Sequence, residues 1–397
     1  MRVNFSDNGK RNAIDGSGRT RIAFVGCGYV ADMYRQCLDL HADGLDLIGV
    51  YDRDPERLAA FARTWGDRAY GSLADLLAEP GVVVVNLTDP ENHAPVTRAA
   101  IAAGRHVYSE KPLGLTLTEA RSLNDAAAAA GVRLAAAPSN ILGEQAQTLW
   151  RAVRQGAVGR VRLVYAELDD GMVHKADYRN WISRSGRRWP AEGEFETGCT
   201  FEHAGYVVTL LVAMFGPVRR VTAHASLLIP DKECDQPVHP APDFSCGLLE
   251  FDGGIVARVT NSIVAPYDHR LRIVGDRGVL QVEEPWDFAG PVRLKRTATS
   301  RLDRFLERRL PLRRGKVVPP ACPVPFRAGR GRPPMDFMRG IRDFADAIAS
   351  GAPGRMDADL AVHITEVTEM LQHPERFPRP APVSSAPGAM RPMDWAV

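Results

Sequence analysis

Short apolar runs alternate with longer stretches of helical period along the first third of the chain. Residues 21–25, 47–51, 82–87, 106–109 and 133–136 are apolar-rich and short enough to read as buried strands. Between them, residues 29–40, 55–65, 72–77, 93–103 and 116–130 repeat apolar positions at three- and four-residue intervals and predict helices. Strands alternating with helices predict a parallel, doubly wound sheet, whose ligands gather outside the carboxyl ends of the strands.

The pattern changes after residue 140. A helix spans the region 140–156, and then strands follow one another directly at 161–167, 218–228, 244–251, 254–262, 270–274 and 278–282. Asp252-Gly253-Gly254 and Gly275-Asp276-Arg277-Gly278 are hairpin signals. One long apolar helix is inserted at 201–215, and two more follow at 336–349 and 357–371. The fold class is therefore α/β: an N-terminal doubly wound parallel sheet of Rossmann type, then an α+β domain with a large, mostly antiparallel sheet. Residues 1–20 read as a disordered leader, 21–140 as the first domain, 141–372 as the second, and 373–397 as a Pro-rich tail.

The first strand runs into Gly26-Cys27-Gly28-Tyr29-Val30-Ala31 and then a helix. In that context Gly26 permits the tight turn and Gly28 lets backbone approach a pyrophosphate. Ala31 allows close helix–strand packing, and the helix start at Tyr29 and Val30 faces the anion. The second strand ends in Tyr51-Asp52-Arg53, with Asp52 about twenty residues past the glycines, where a carboxylate accepts the ribose hydroxyls. Such a carboxylate repels a 2′-phosphate, so NAD is favoured. Arg53 beside it keeps NADP open, because a guanidinium can pair a 2′-phosphate or stack on adenine. The blander alternative is a strand, a turn and an aspartate in a first helical turn.

At 397 residues, two cores are expected. Fifty basic residues against 48 acidic ones leave a formal charge of +2, which gives no general reason to expect nucleic acid or membrane partners. There is no membrane-length apolar run and no signal-peptide core in the first twenty or so residues, so a cytoplasmic location is expected. Six cysteines lie scattered, without metal-ligand or disulfide spacing, and no metal is expected.

Glu110-Lys111-Pro112 stands at the end of the fourth strand, where a rigidly held lysine puts a cation beside a substrate hydroxyl. The longer run Ala103-Gly104-Arg105-His106-Val107-Tyr108-Ser109-Glu110-Lys111-Pro112-Leu113 resembles the A-G-K-H-V-x-x-E-K-P-L signature of the Gfo/Idh/MocA family, the glucose-fructose oxidoreductase and inositol dehydrogenase group. Residues 88–93 are similar to its T-P-N-x-x-H stretch, with Asp89-Pro90 in place of P-N. The resemblance covers residues 21 to about 371. It implies an NAD(P)-dependent dehydrogenase or reductase acting on a CH–OH group of a sugar, cyclitol or related polyhydroxy compound. Leu87, Thr88, His93, Glu110 and Lys111 would then line the cofactor, and Lys111 would also hold the reacting hydroxyl. It further implies a homodimer or homotetramer packed through the second sheet. Another reading is a regulator of the same fold that binds dinucleotide or sugar without turnover.

The family's second signature, G-G-G-x-x-x-D-x-x-x-H, is altered. Counting back from Phe215-Gly216 puts Glu202 at the Asp position and Tyr206 at the His position, with His203 three residues out of place. Glu202 and Tyr206 share a helix face, as do His203 and Tyr206. A phenol near an ammonium is drawn toward phenolate, so Lys111 with Tyr206 is expected to manage the hydroxyl proton, Glu202 to orient or relay, and His203 to touch substrate. The alternatives are a dipole-favoured first-turn glutamate and a tyrosine in the apolar stripe Tyr206, Leu210, Met214.

Three other features are noted. Asp169-Asp170-Gly171-Met172-Val173-His174 reads as a substrate loop or solvated turn. Trp181, Arg184, Arg187, Arg188 and Trp189 crowd a loop suited to a sugar or phosphate, or to simple tethering. Residues 295–316 carry nine basic residues against two acidic ones, with Leu302, Phe305, Leu306 and Leu310 spaced as an amphipathic helix.

Overall fold

The computed structural model describes residues 18–298, 300, 301, 305, 309, 315–324, 326, 327, 329 and 332–397. Strands β1 (Thr20–Val25), β2 (Leu45–Tyr51), β3 (Val83–Asn86), β4 (His106–Ser109) and β5 (Leu134–Ala136) form a five-stranded sheet in the order β2-β1-β3-β4-β5. Every pair in it is parallel. Helices cover both faces, which is why β1, β3 and β5 are buried along nearly their whole length. The order reverses at β1, so β2 lies on one side and β3 to β5 on the other. The crevice at that switch point opens at the carboxyl strand ends, where Gly28, Leu87 and Lys111 lie. The helix Pro55–Trp65 starts where Asp54 accepts the N–H groups of Glu56 and Arg57, and ends where Gly66 takes the left-handed conformation.

The second sheet has nine strands in the order β13-β12-β11-β10-β6-β9-β8-β7-β14. These are β6 (Val161–Asp169), β7 (Arg220–Ser226), β8 (Phe244–Phe251), β9 (Ile255–Ser262), β10 (Leu271–Gly275), β11 (Gly278–Val282), β12 (Arg293–Arg296), β13 (Lys316–Val317) and β14 (Ala381–Pro382). All neighbours are antiparallel except β6 and β9. The helices Cys199–Phe215 and Ala358–Gln372 lie on one face. Val207, Leu211, Val367 and Leu371 close the core against Val164, Leu249, Val259 and Ile273.

Several elements differ from the pattern read in the sequence. β12, β13 and β14 are short strands, with β13 and β14 at the two edges; β12 is Arg293-Leu294-Lys295-Arg296, whose charge hides it from an apolar pattern. Most of the expected amphipathic helix, including Leu302, Leu306 and Leu310, lies outside the described residues, as does residues 1–17 of the expected leader. The helix Arg339–Ser350 returns to the first sheet, where Met338, Ile341, Phe344 and Ile348 pack with Ile22, Phe24 and Val83. Within the tail, Ala381 pairs with Val221, and Ser384 and Ser385 donate to the Glu366 carboxylate. Among the described residues, no single helix is long and apolar enough to cross a membrane.

Candidate active site

A cavity of about 920 Å³ runs from the glycine loop to the start of the helix Cys199–Phe215, between the two sheets. Its floor is the N-terminus of the helix Tyr29–Cys37, which has no side-chain cap. Gly28, Tyr29 and Val30 line it. A Cβ on Gly28 would project into open space within 4 Å, while one on Gly26 would stand 2.6 Å from the Leu87 carbonyl. Gly26 is therefore required by the strand beside it, with φ at 101°, and Gly28 leaves the anion-binding end of the helix clear. The loop geometry, the uncapped helix and the adjoining cavity fit a dinucleotide.

Asp52 does not line this cavity. It is buried at 7% exposure; its oxygens accept the N–H groups of Cys27 and Asp54, both at 2.8 Å. The carboxylate thus sets the glycine loop, and Arg53 is exposed away from the cavity wall. Arg57, one turn into the next helix, lines the cavity instead, together with Arg187 and Arg188 of the second domain.

At the other end, Leu87, Thr88, His93, Glu110 and Lys111 come together as the sequence suggested. His93 is a clamp: its ring nitrogens meet the Pro112 carbonyl at 2.7 Å and the Thr88 carbonyl at 2.8 Å, and burial lowers its pKa. Glu110 accepts from the Tyr34 hydroxyl with one oxygen and from the Lys111 N–H at 2.8 Å with the other. Both residues fix the lysine's loop.

The Lys111 ammonium forms an ion pair with Glu202, whose side chain is 5% exposed. Burial alone would strip the lysine's proton, but the charge of Glu202, with Glu110 behind it, pushes its pKa up. Its Nζ lies 6.0 Å from the centre of the Tyr206 ring. Tyr206 departs from expectation. Burial above all raises the pKa of its phenol; Lys111 pulls it down, and Glu110 and Glu202 push it up. It is a protonated donor, and its ring also packs on Trp286 at 5.1 Å.

Glu194 was not singled out in the sequence. The helix Ala191–Thr197 carries it into the cavity beside Glu202, and burial first, then that neighbour's charge, drives its pKa far up despite Lys111. It holds a proton next to the ionised pair. Its only sequence signal was a run of acidic residues just before the second signature. His203 lines the same cavity, with Nδ1 turned to Asp170 at 2.9 Å. Asp170 thus stands behind the cavity wall, paired with His203, and is not a solvated turn.

The loop between Trp181 and Trp189 crosses onto the first domain. Asp32, 1% exposed, accepts from Trp65 Nε1 at 2.6 Å, from the Ser185 N–H at 3.1 Å and hydroxyl at 2.6 Å, and from the Ser183 hydroxyl. Arg184 stacks over the Trp65 ring at 4.2 Å. Of the two uses considered for this loop, tethering is the one observed, and it brings Arg187 and Arg188 to the cavity.

Comparison with known proteins agrees with this architecture. Residues 20–137 match the oxidoreductase family model described as an NAD-binding Rossmann fold, and residues 146–281 match the GFO/IDH/MocA C-terminal domain. The trans-1,2-dihydrobenzene-1,2-diol dehydrogenase of Mus musculus is 26% identical over 269 residues, covering 67% of this chain and 75% of that protein. The WlbA dehydrogenase from Bordetella pertussis, solved with NADH and UDP-GlcNAcA, superposes with a TM-score of 0.66 at 19% identity, over 90% of this chain and 96% of that one. A levoglucosan dehydrogenase solved with NADH and levoglucosan gives 0.69 at 18% identity, over 88% and 95%. With both domains matched and the glycine loop and Lys111 in one cavity, the chain belongs to the Gfo/Idh/MocA family of NAD-binding oxidoreductases.

Proposed function

We propose that the protein is a dehydrogenase or reductase that moves a hydride between a nicotinamide dinucleotide and a carbinol or keto carbon of a sugar, cyclitol or related polyhydroxy compound. The observation that carries this reading is the Lys111–Glu202 ion pair inside the cavity that begins at the uncapped helix of the glycine loop. The bound cofactor supplies the hydride acceptor or donor; the protein supplies position and electrostatics. Lys111, held as ammonium, donates to the reacting oxygen and stabilises negative charge as it develops there. Tyr206, held as phenol, is a second donor. In oxidation, Lys111 passes its proton to Glu202 as it takes the hydroxyl proton, so the oxygen loses one proton as its carbon loses the hydride. Neutral Glu194 can donate to Glu202 and hold it in place. Glu194, Glu196, Glu202, His203 and Tyr206, side by side in the cavity, suit a polyhydroxy ligand.

A panel of polyols, cyclitols and keto-sugars, assayed with NAD(H) and NADP(H) by nicotinamide absorbance, tests this. Turnover of one member supports the reading. Ligand binding without turnover across the panel would favour the silent regulator.

We further propose a homodimer or homotetramer formed through the open face of the second sheet. Tyr165 stands there between Arg258 and Arg272, 4.7 and 5.2 Å from its ring, and Leu248 is 44% exposed on β8. A cytoplasmic location and a single small-molecule substrate, with no nucleic acid or membrane partner, complete the reading.

A further inference from the structure

The oxidation leaves one proton on the Lys111–Glu202 pair, beside a Glu194 that is already protonated. Cofactor and substrate together fill the cavity and exclude the water that would otherwise carry that proton away. A line of polar side chains leads from the cavity wall to the surface at this point. His203 lines the cavity, and its Nδ1 lies 2.9 Å from one oxygen of Asp170. With Nδ1 turned to Asp170, Nε2 is the nitrogen left for the cavity. The other Asp170 oxygen lies 2.8 Å from Nε2 of His269, whose side chain is fully buried. The opposite nitrogen of His269 meets Glu284 at 3.1 Å and the Tyr267 hydroxyl at 3.0 Å. Tyr267 is 60% exposed. The rings of His203 and His269 pack on Trp286, which seals the line from the cavity.

None of these residues is needed to hold the cofactor loop, and neither signature of the family contains Asp170, His269 or Glu284. Two imidazoles alternating with two carboxylates, each at contact distance and ending at solvent, are an arrangement that conducts protons; a purely structural cluster has no need to join a cavity to the surface. We propose that His203, Asp170, His269 and Glu284 form a proton relay between the active site and solvent, a deepening that rests on the dehydrogenase reading above. In oxidation, a proton passes by way of a hydroxyl of the polyhydroxy substrate to His203 Nε2 while the Nδ1 proton moves to Asp170. His269, held charged between Asp170 and Glu284, releases its Nδ1 proton to Glu284 and water; its ring then turns and takes the Asp170 proton on the emptied nitrogen. One proton enters, one leaves, and no electrons move; rotation of the His203 ring resets the relay. The two contacts at Asp170 have ion-pair distances but lie off the line of a good hydrogen bond, so a small carboxylate rotation precedes each transfer. Reduction runs the path in reverse.

The test uses the full chain with the substrate found in the panel. Asp170→Asn and Glu284→Gln keep side-chain shape and remove a proton acceptor. Titration with NADH and a thermal melt establish that each variant is folded. In dilute buffer both should turn over about ten- to a hundred-fold more slowly than the unmodified protein, with a larger solvent deuterium effect. Added imidazole should restore most of the loss while leaving the unmodified protein unaffected. If Asp170→Asn fails to fold, Glu284→Gln alone decides, since its side chain sits at the outlet. Turnover by the unmodified protein, with variant losses that imidazole does not rescue or with no loss in either variant, overturns the relay alone. No turnover by the unmodified protein on any substrate overturns the dehydrogenase reading, and the relay with it.

Discussion

Lys111 and Glu202 are 91 residues apart in the chain and form one buried ion pair. One belongs to the end of β4 in the first sheet, the other to the first turn of the helix over the second sheet. The contact sets the distance between the cofactor's domain and the substrate's. It also keeps the lysine charged in a place where burial would otherwise neutralise it.

Replacing Lys111 with alanine is therefore expected to act twice. Turnover should fall by at least about a hundred-fold, because the reacting oxygen loses its charged donor. Stability should fall by about 3 kcal/mol or more, because Glu202 is left buried without its partner. NADH affinity should stay within a few-fold, since Lys111 acts on the substrate's oxygen. The double change Lys111→Ala with Glu202→Gln should recover stability without recovering turnover. Kinetics, calorimetric melting and cofactor titration on the two variants decide it; full activity in Lys111→Ala would remove the lysine from the mechanism.

Tyr206 is expected to stay protonated through the neutral range, since burial raises its pKa and Glu110 and Glu202 add to that. Tyr206→Phe should cost about a hundred- to ten-thousand-fold in turnover if the phenol donates to the reacting oxygen. No limb of the pH–rate profile between about pH 6 and 9 should vanish with it, because a group that does not titrate there contributes none. Loss of an alkaline limb in Tyr206→Phe would mean that the phenol does ionise in the working range.

Asp52 bears on cofactor choice in a way the sequence does not convey. Its position twenty or so residues past the glycines fits a ribose ligand, yet both of its oxygens are occupied by loop N–H groups. Asp52→Ala should weaken NADH and NADPH together, by about five- to thirty-fold for the loss of one or two net hydrogen bonds. A selective gain of NADPH affinity instead, measured by fluorescence titration, would return Asp52 to the ribose.

What could be read in advance follows from how each residue is specified. The strands of the first sheet, the glycine loop and the loop bearing Lys111 are local: period, Gly placement and a contiguous signature mark them. Counting along a single helix also put Glu202 and Tyr206 on one wall. Asp170, His269 and Glu284 meet only because β6, β10 and β11 are brought side by side in the second sheet, and no spacing in the chain encodes that. Tyr206's ionisation was misjudged for a related reason: Lys111 was visible as a neighbour, while the depth of burial was not.

Stability should depend on pH through His269. Burial works against its charge, but the carboxylates of Asp170 and Glu284 on either side push its pKa up to about 9. A raised folded-state pKa stabilises fully below the unfolded value, about 6.5, and that contribution is lost as pH climbs through 9. Raising the value from 6.5 to about 9 corresponds to at most about 3.4 kcal/mol. Melting temperature should decline between pH 6.5 and 9, and His269→Gln should flatten that slope while lowering stability near neutrality. An unchanged slope in the variant would place the titrating group elsewhere.

The loop docked on Asp32 borders the cavity that would hold the cofactor. Four donors converge on that one buried carboxylate, three of them from Ser183 and Ser185 of the second domain, and Arg184 stacks on Trp65 beside them. Arg187 and Arg188 of the same loop line the cavity and would face a bound dinucleotide. Asp32→Asn keeps the shape but turns an amide N–H₂ toward groups that themselves donate, leaving at least one of them unpaired at about 1–3 kcal/mol. The loop should then open more often. Trypsin should cut at Arg184, Arg187 or Arg188 several-fold faster in the variant, NADH should dissociate faster in stopped flow, and bound NADH should protect the unmodified loop more than the variant's. Equal cleavage rates in the two proteins, with and without NADH, would mean that Asp32 secures the first domain alone and that the cofactor enters and leaves by another side.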